Sequence, residues 1–237
     1  MKNIAILIAG GSGQRMGQDI PKQFLNVEDK PVIVYTMEAF EKHPNIDGII
    51  VVCIKGWEEI LRAYAKQFNI TKLKEIVPGG ECGQASIKNG LDAAKGLYSD
   101  EDIVLIHDAI RPMISQEIIS DNIAKCMMYG NAITVIPCAE AMLQTDNQIE
   151  SDEQIDRSKL KRTQTPQAFK LGDILDAHRE AKEKGITDSI ASCTLYIELG
   201  RKVYFSNGSE KNVKLTTPDD LEIFKALLTV KKAEWMK

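Results

Sequence analysis

The fold is decided by the stretch Ile4-Ala5-Ile6-Leu7-Ile8-Ala9-Gly10-Gly11-Ser12-Gly13-Gln14-Arg15-Met16. An apolar run that breaks into glycines predicts a first β-strand, Ile4–Ile8, that ends in a loop. Glycines let backbone N–H groups approach a phosphate closely, because no Cβ is in the way. Arg15 and Lys22 add two cations beside that loop. Backbone donors with an Arg–Lys pair suit a triphosphate that gains charge in a transition state, so the stretch predicts a nucleotide-handling enzyme.

Two well-known phosphate loops do not match this stretch. The dinucleotide fingerprint G-x-G-x-x-G requires a third glycine where Met16 stands, and a P-loop requires Gly-Lys-Ser/Thr after the glycines. A Gly-rich turn after a strand is also commonly a plain turn. The phosphate interpretation therefore depends on Arg15 and Lys22 at their short spacing.

Composition excludes several classes of protein. The 237 residues carry a formal net charge of −4, which does not favour a nucleic-acid surface. No apolar stretch approaches the roughly 20 residues that span a bilayer, and the N-terminus does not resemble a signal peptide. The five cysteines are scattered and form no C-x-x-C pair, which favours reduced thiols. We therefore expect no nucleic-acid or membrane partner and a cytoplasmic location.

Strand-like and helical patterns alternate along the chain, which predicts an α/β fold with a Rossmann-like, mostly parallel sheet and helices on both faces. The predicted strands are Ile4–Ile8, Gly48–Ile54, Lys74–Val77, Asp102–His107 and Ala132–Pro137. The predicted helices between them are Pro31–Lys42, Glu58–Phe68, Gln84–Lys95 and Gln116–Met128. We expect one domain over residues 1–237, with a polar protruding arm at 138–163 that breaks the rhythm.

Two further loops follow predicted strands, where ligands of parallel sheets bind. They are Gly79–Gly83 and Asp108–Pro112. Asp108 suits Mg²⁺, although a loop or N-cap aspartate is the simpler alternative. Arg111 suits bidentate phosphate binding, with a surface salt bridge as its alternative. His107 at a strand end is more often structural than catalytic.

Further along, the patterns predict helices near Leu171–Lys184 and Asp188–Leu199 and a short strand at Lys202–Ser206. The last helix has a clear start signal. Thr217 is in the N-cap position, Pro218 is the first helical residue and Asp220 is in the capping-box position.

Taken together, these motifs resemble the cytidylyltransferases that make CDP-polyols, over essentially the full length. The two nearest branches act on 2-C-methyl-D-erythritol 4-phosphate and on ribitol 5-phosphate. The motifs that carry the resemblance are Ala9–Met16, Pro21–Phe24, Gly79–Glu81, Ser86, His107–Pro112, Gln164–Gln167 and Asn212–Thr216. The fold that the resemblance implies is of the nucleotidyltransferase type.

The resemblance implies a CTP site. The Gly-rich loop would hold the phosphates and touch the base through Ala9, Gly10, Gly11, Ser12 and Gly13. The cytosine would be recognised by Gly80, Glu81 and Ser86. Ala109 would approach the ribose, and Asp108 would bind Mg²⁺.

The resemblance also implies a second, polyol-phosphate half. The residues expected to act on the reacting phosphates are Arg15, Lys22 and Lys214. The substrate-binding residues would be Arg111, Arg157, Thr165, Thr187 and Asp188. The arm would clasp a second subunit in a homodimer and donate Arg157 to the partner's active site.

The substrate is not fixed by these motifs. Alanine stands in Cys138–Met142 where the methylerythritol branch has a hydroxyl, and Thr187-Asp188 lacks the second acid of that branch. Both departures favour a pentitol phosphate such as ribitol 5-phosphate, with methylerythritol 4-phosphate as the alternative. A uridylyl- or thymidylyltransferase of sugar 1-phosphates and a non-catalytic nucleotide-binding relative are the competing interpretations.

Overall fold

The computed structural model describes residues 1–11 and 20–235, with side chains up to residue 230. Its strands, numbered along the chain, are β1 (Asn3–Ala9), β2 (Asn26–Val27), β3 (Lys30–Pro31), β4 (Gly48–Cys53), β5 (Leu73–Pro78), β6 (Ile103–Asp108), β7 (Asn131–Pro137), β8 (Met142–Gln144), β9 (Glu153–Ile155), β10 (Lys161–Lys170) and β11 (Phe205–Asn207). Seven of them form a central sheet in the order β11-β7-β10-β6-β1-β4-β5. Strand β10 is antiparallel to both of its neighbours, whereas the other neighbouring strands of this central sheet are parallel to each other.

The helices are α1 (Val32–Glu41), α2 (Glu58–Gln67), α3 (Gly83–Leu97), α4 (Gln116–Tyr129), α5 (Leu171–Glu183), α6 (Ser192–Glu198) and α7 (Pro218–Trp235). Helices α1, α2 and α4 cover one face of the sheet, and α3, α5 and α6 cover the other. Helix α7 packs in a third apolar cluster beside the sheet. The predicted mostly parallel sheet with helices on both faces is confirmed.

The central strand β1 shows why the sheet is buried on both sides. Ala5 and Leu7 pack against the α1 face, whereas Ile4 and Ile6 pack against the α3 face. All four are fully buried. A strand covered on both faces requires a continuous apolar run rather than an alternating one, and residues 4–8 supply it.

The five predicted strands and four predicted helices are confirmed to within a few residues. The helix predicted near Leu171–Lys184 is also confirmed, as α5. The two elements predicted after it differ more. The helix expected near Asp188–Leu199 begins only at Ser192, and the strand expected at Lys202–Ser206 is Phe205–Asn207. Strand β10 was missed, because its sequence contains buried glutamines and Pro166. Its pairing with β7 shifts register between Thr163 and Gln167, around the proline that has no N–H to donate.

The predicted arm region, 138–163, contains the antiparallel hairpin of β8 and β9. Residues 139–163 include no buried residue. Leu143 and Ile149 are 64% and 88% exposed. The hairpin therefore presents apolar side chains to its surroundings. The last three residues of the predicted arm, Lys161–Thr163, belong instead to β10 and pair with β7 in the central sheet.

The predicted start of the last helix is confirmed. Helix α7 begins at Pro218, and the Asp220 carboxylate accepts hydrogen bonds from the N–H groups of Thr216 and Thr217, both at 2.7 Å. The Thr217 hydroxyl accepts from the Asp220 N–H at 3.4 Å. Within the described residues, no helix has both the length and the apolar character needed to cross a membrane.

Gly90 and Gly96 of helix α3 give a matched test of the packing. A Cβ on Gly90 would lie 2.6 Å from Ile6 and 2.9 Å from Val52, whereas a Cβ on Gly96 would meet nothing within 4 Å. We expect Gly90→Ala to destabilise the protein by about 1–3 kcal/mol through overpacking. Gly96→Ala should stabilise it by up to about 1 kcal/mol through helix propensity. Chemical denaturation measures both, and equal effects at the two positions would contradict the packing described here.

Candidate active site

The carboxyl ends of β1, β5 and β6 meet at one edge of the sheet and border a cleft of about 630 Å³. Because β10 runs in the opposite direction, its first half, with Thr163 and Thr165, reaches the same edge. The residues that line the cleft are Ile8, Gly10, Gly11, Gly80, Glu81, Cys82, Gly83, Ser86, Ile87, Ile106, His107, Asp108, Arg111, Thr163, Gln164, Thr165, Gln167, Ile190, Ala191, Ser192 and Lys214. This edge is where parallel α/β sheets bind their ligands.

One wall of the cleft is made by two loops in backbone contact. A Cβ on Gly10 would lie 3.1 Å from the Cα of Gly79, so the two strand ends approach too closely for most side chains. The hydroxyl of Ser86 accepts a hydrogen bond from the N–H of Gly80 at 3.0 Å. Cys82 caps helix α3, where its Sγ accepts from the N–H of Ala85 at 3.4 Å. This wall is held by short local bonds and presents backbone to the cleft.

Gln23 fixes the beginning of the Gly-rich loop. Its side chain is 2% exposed, and its amide donates to the carbonyls of Ala9 at 2.7 Å and Gly11 at 3.0 Å. Two bonds from one buried amide hold the carbonyls on both sides of Gly10. The motif Pro21–Phe24 therefore has a structural function in addition to the cation at Lys22.

A second part of the lining is a cluster centred on Asp108. One carboxylate oxygen accepts from Lys214 Nζ at 3.1 Å, and the other accepts from Arg111 Nε at 3.0 Å. A terminal nitrogen of Arg111 also donates to the carbonyl of Asn212 at 2.7 Å. Asn212 is fully buried and donates to the carbonyl of Thr165 at 2.9 Å. The turn that carries Asp108 and Arg111 is thus bonded to the segment of Asn212 and Lys214, and Asn212 ties that segment to Thr165.

The charge state of Asp108 follows from this cluster. Burial raises the pKa of the Asp108 carboxyl, but the positive charges of Lys214 and Arg111 lower it by more. The pKa is therefore below the ordinary value of 3.8. Asp108 is therefore ionised at neutral pH. Because the pKa of Asp108 is lower in the folded than in the unfolded protein, the ionised carboxylate stabilises the fold. This stabilisation is complete at a pH above the ordinary carboxyl pKa and is lost as the pH falls through the folded-state pKa.

His107 lies beneath this cluster and is fully buried. Its Nδ1 is 3.0 Å from the hydroxyl of Thr165, and its Nε2 is 3.3 Å from the carbonyl of Arg111. The Thr165 hydroxyl also accepts from the N–H of Asp108 at 3.0 Å. Burial lowers the pKa of His107 to about 4, so the ring is neutral at neutral pH.

Comparisons with known proteins agree with this architecture. Residues 3–230 match the family described as 2-C-methyl-D-erythritol 4-phosphate cytidylyltransferase. The ribitol-5-phosphate cytidylyltransferase of Lacticaseibacillus paracasei is 44% identical over 230 residues, which cover 96% of this chain and 98% of the relative. The chain belongs to this cytidylyltransferase family.

Other members of the family show the same breadth of similarity. The 2-C-methyl-D-erythritol 4-phosphate cytidylyltransferase of Clostridium botulinum is 38% identical over 231 residues, which cover 96% of this chain and 97% of the relative. The solved structure of 4-diphosphocytidyl-2C-methyl-D-erythritol synthase from Anaerococcus prevotii has a TM-score of 0.82 at 26% identity, with 96% of each chain covered. The predicted family and the prediction of a nucleotidyl-transferring enzyme are confirmed.

Many residues predicted for a cytidylyltransferase site do line the cleft. They are Gly10, Gly11, Gly80, Glu81, Ser86, Asp108, Arg111, Thr165 and Lys214. Ser12, Gly13 and Arg15 lie outside the described residues. The functional roles of all of these residues remain predictions.

The remaining predicted residues lie elsewhere. Ala9 and Ala109 are buried in the core; the N–H of Ala109 bonds to Ile8 and its carbonyl accepts from Thr36, so both its polar groups are used within the fold. Lys22 begins a short 3₁₀ turn, Lys22–Phe24, and is not among the described residues that line the cleft. Three others are exposed and do not line it: Arg157, Thr187 and Asp188.

Instead of Thr187 and Asp188, the structure brings the next residues of that loop to the cleft, Ile190, Ala191 and Ser192. Ser192 is 2% exposed, and among the described residues its hydroxyl has no hydrogen-bond partner. Sequence reasoning assigned it no role. The only available signal was its position just after Thr187-Asp188.

The carboxylate of Asp108 can be compared with what a magnesium ion requires. Among the described residues, no group of three metal-ligating side chains occurs. Mg²⁺ is usually held by one or two carboxylates together with substrate phosphates and waters. Each carboxylate oxygen of Asp108 accepts one hydrogen bond from a described residue and has a second lone pair. The donor set therefore fits a metal that arrives with nucleotide phosphates.

Lys214→Gln tests the electrostatics of the cluster. Because Lys214 is the largest influence that lowers the pKa of Asp108 against burial, its removal should raise that pKa. Titration of the Asp108 carboxyl by ¹³C NMR measures the change, with Asp108→Asn to assign the signal. Lys211→Gln, three residues away and exposed, is the matched control and should leave the pKa unchanged. An unchanged pKa in the Lys214 variant would show that the ion pair does not form in solution.

Proposed function

We propose that this protein transfers CMP from CTP to a pentitol phosphate, ribitol 5-phosphate first, in a Mg²⁺-dependent reaction that releases pyrophosphate. The observation that carries the proposal is a single cleft with two unlike walls. One wall offers glycine backbone and the Ser86 hydroxyl, and the other offers the cluster of Asp108, Arg111 and Lys214. Such a cleft suits a nucleotide beside a second anion.

The chemistry requires little covalent help from the protein. A phosphate oxygen of the polyol attacks the α-phosphorus of CTP, the bond to the β-phosphate bridging oxygen breaks, and pyrophosphate leaves with that electron pair. The attacking phosphate is already ionised at neutral pH. Catalysis is then positioning of two anions and neutralisation of the charge that develops.

The cluster supplies the positioning for the polyol phosphate. Arg111 is held by Asp108 and by the Asn212 carbonyl, so its guanidinium is fixed before substrate arrives. Lys214 is 45% exposed and can turn toward an incoming phosphate. Asp108 would hold Mg²⁺ together with the nucleotide, and the bound metal would neutralise phosphate charge.

The charged side chains that line the cleft do not supply enough positive charge to bind two phosphate-bearing substrates. Among the described residues, the lining holds two carboxylates, Glu81 and Asp108, and two cations, Arg111 and Lys214. These charges cancel, whereas a phosphate monoester alone brings about −1.5 to −2. Mg²⁺, Lys22, Arg15 and the arm's Arg157 are the sources that we propose for the missing positive charge.

Two observations favour a polyol with several hydroxyls. The wall beside the cluster is polar, with Thr163, Gln164 and Gln167. The buried Ser192 hydroxyl has no partner among the described residues, and a buried hydroxyl without a partner is unfavourable until a ligand satisfies it. Sequence identity favours ribitol 5-phosphate in particular, because the chain is 44% identical to a ribitol-5-phosphate cytidylyltransferase and 38% identical to a methylerythritol 4-phosphate cytidylyltransferase.

Pyrophosphate release with a substrate panel tests the function. We expect CTP with ribitol 5-phosphate to give the highest kcat/KM among ribitol 5-phosphate, methylerythritol 4-phosphate, arabinitol phosphate and glycerol phosphates. UTP and dTTP should be poor donors, and EDTA should abolish turnover. Lys214→Ala should lower kcat by at least about 10²-fold, whereas the control Lys211→Ala should not.

Each contrary result of the panel has a distinct meaning. Preference for methylerythritol 4-phosphate would replace the proposed substrate and keep the reaction. Preference for UTP or dTTP would favour the sugar-phosphate branch. No pyrophosphate with any pair would favour a non-catalytic relative.

We further propose that the arm joins two copies in a homodimer and that Arg157 acts in the partner's cleft. In one chain Arg157 is exposed and donates to the carbonyl of Ala139 within the arm. The hairpin also presents Leu143 and Ile149 to its surroundings. Exposed apolar side chains beside basic residues suit a protein interface that delivers charge to a phosphate site.

A mixed dimer tests this arrangement. Asp108→Asn and Arg157→Ala should each be nearly inactive alone. In a heterodimer purified through two different tags, one of the two sites would combine an intact Asp108 with an intact Arg157 from the other subunit. We therefore expect about half of the wild-type activity to return. A heterodimer as inactive as its parents, or a monomer in analytical ultracentrifugation, would contradict the proposal.

A further inference from the structure

We propose that His107 is the positioning residue of the site: through the two nitrogens of its ring it holds both ends of the turn that carries Asp108 and Arg111, and it accepts the hydroxyl proton of Thr165. The kinetic part of this proposal rests on the proposed function. The hydrogen bonds themselves do not.

The protons of this network can be assigned from the partners. The N–H of Asp108 can only donate, so the Thr165 oxygen accepts it at 3.0 Å. The Nε2 atom of His107 faces the carbonyl of Arg111 at 3.3 Å, which can only accept, so Nε2 carries a proton. In a ring with one proton, Nδ1 is then the acceptor. The Nδ1 atom lies 3.0 Å from the Thr165 hydroxyl, so it receives the single hydroxyl proton of Thr165.

The opposite tautomer conflicts with the geometry. A proton on Nδ1 would point at the Thr165 oxygen and leave Nε2 bare against the Arg111 carbonyl, so two acceptors would face each other. Only that tautomer would free the Thr165 proton for a substrate phosphate. The two assignments therefore predict different roles for Thr165.

The ring bridges the turn from below. Asp108 is tied through Thr165, and Arg111 is tied through its own carbonyl, while its N–H bonds to the carbonyl of Asp108 at 3.0 Å. Phe40 packs on the ring from the core with the centroids 5.1 Å apart. The carboxylate and the guanidinium are thus set on a turn that is fixed at both ends. Thr165 contributes by holding Asp108 and not by donating to substrate.

The first experiment reads the tautomer directly. In ¹⁵N NMR of the imidazoles at neutral pH, His107 should show an unprotonated Nδ1 and a protonated Nε2. His43 and His178 are the other histidines of the chain, and His107→Gln assigns the signal. A protonated Nδ1, with or without a proton on Nε2, would overturn the proposal. This readout needs no substrate, so it stands apart from the proposed function.

The second experiment separates positioning from stability. We expect His107→Phe to lower kcat about 10-fold to 100-fold, the usual effect of losing a residue that orients a site residue, with KM for CTP little changed. His43→Phe is the matched control, since His43 is also buried and bonded, to Ser120 at 2.9 Å. It should lose stability and keep kcat. Equal kcat loss in both variants, or none in His107→Phe, would overturn the positioning role.

Thr165 provides a second route if His107→Phe fails to fold. Thr165→Ser keeps the hydroxyl and should lose less kcat than Thr165→Val, which should lower kcat as His107→Phe does. A Thr165→Val variant that raises only KM for the polyol phosphate would instead identify Thr165 as a substrate donor and overturn the proposal. If the wild type turns over no substrate pair, the proposed function fails and the NMR result alone decides this inference.

Discussion

The site depends on the ion pair between Lys214 and Asp108, which keeps the Asp108 carboxylate ionised. Apolar packing next to Lys214 brings the two side chains together. Lys214 reaches Asp108 because the next residue, Leu215, is 2% exposed in a cluster with Val27 and Phe224 and donates its N–H to Ile110 at 2.9 Å. Full burial of a leucine is worth about 1.5–3 kcal/mol, whereas a partly exposed ion pair is worth about 0–1 kcal/mol. The apolar anchor therefore holds the ion pair in place, and the ion pair sets the charge of the cleft.

The parallel part of the sheet could be predicted because burial on both faces leaves a direct signature in sequence. Runs such as Ile4–Ile8 and Gly48–Ile54 are apolar at nearly every position, and glycines or turns follow them. Strand β10 lacks that signature. Its buried Gln164 and Gln167 satisfy their amides with groups such as Ser209 and Cys193, which are distant in sequence. From sequence alone, a polar segment with a proline is predicted to be a loop, because the distant hydrogen-bond partners of its glutamines are not visible there.

The same limit explains which parts of the site could be predicted. Charged residues in loops after strands, such as Asp108 and Arg111, indicate an anion site by their chemistry alone. Gln23 acts through bonds to backbone carbonyls, and His107 acts through the Thr165 hydroxyl and the Arg111 carbonyl. The local sequence around Gln23 and His107 does not indicate these partners. The role of Ala109 at the ribose comes from the resemblance alone and stays a prediction. In the structure its N–H and carbonyl are bonded within the fold, and its side chain is buried in the core.

The charge balance of the cleft links the separate proposals. The described lining is neutral overall, since Glu81 and Asp108 offset Arg111 and Lys214. A neutral cleft does not draw two phosphate-bearing molecules together, because their mutual repulsion grows as water is excluded. Extra positive charge must therefore come from outside the described lining, and the proposed sources are Arg15 and Lys22 of the same chain, the arm of a partner and Mg²⁺. Of these, a metal that arrives with CTP would add its charge only when the nucleotide binds. The positive charge of the cleft would then be greatest when the phosphate groups that it has to hold are present.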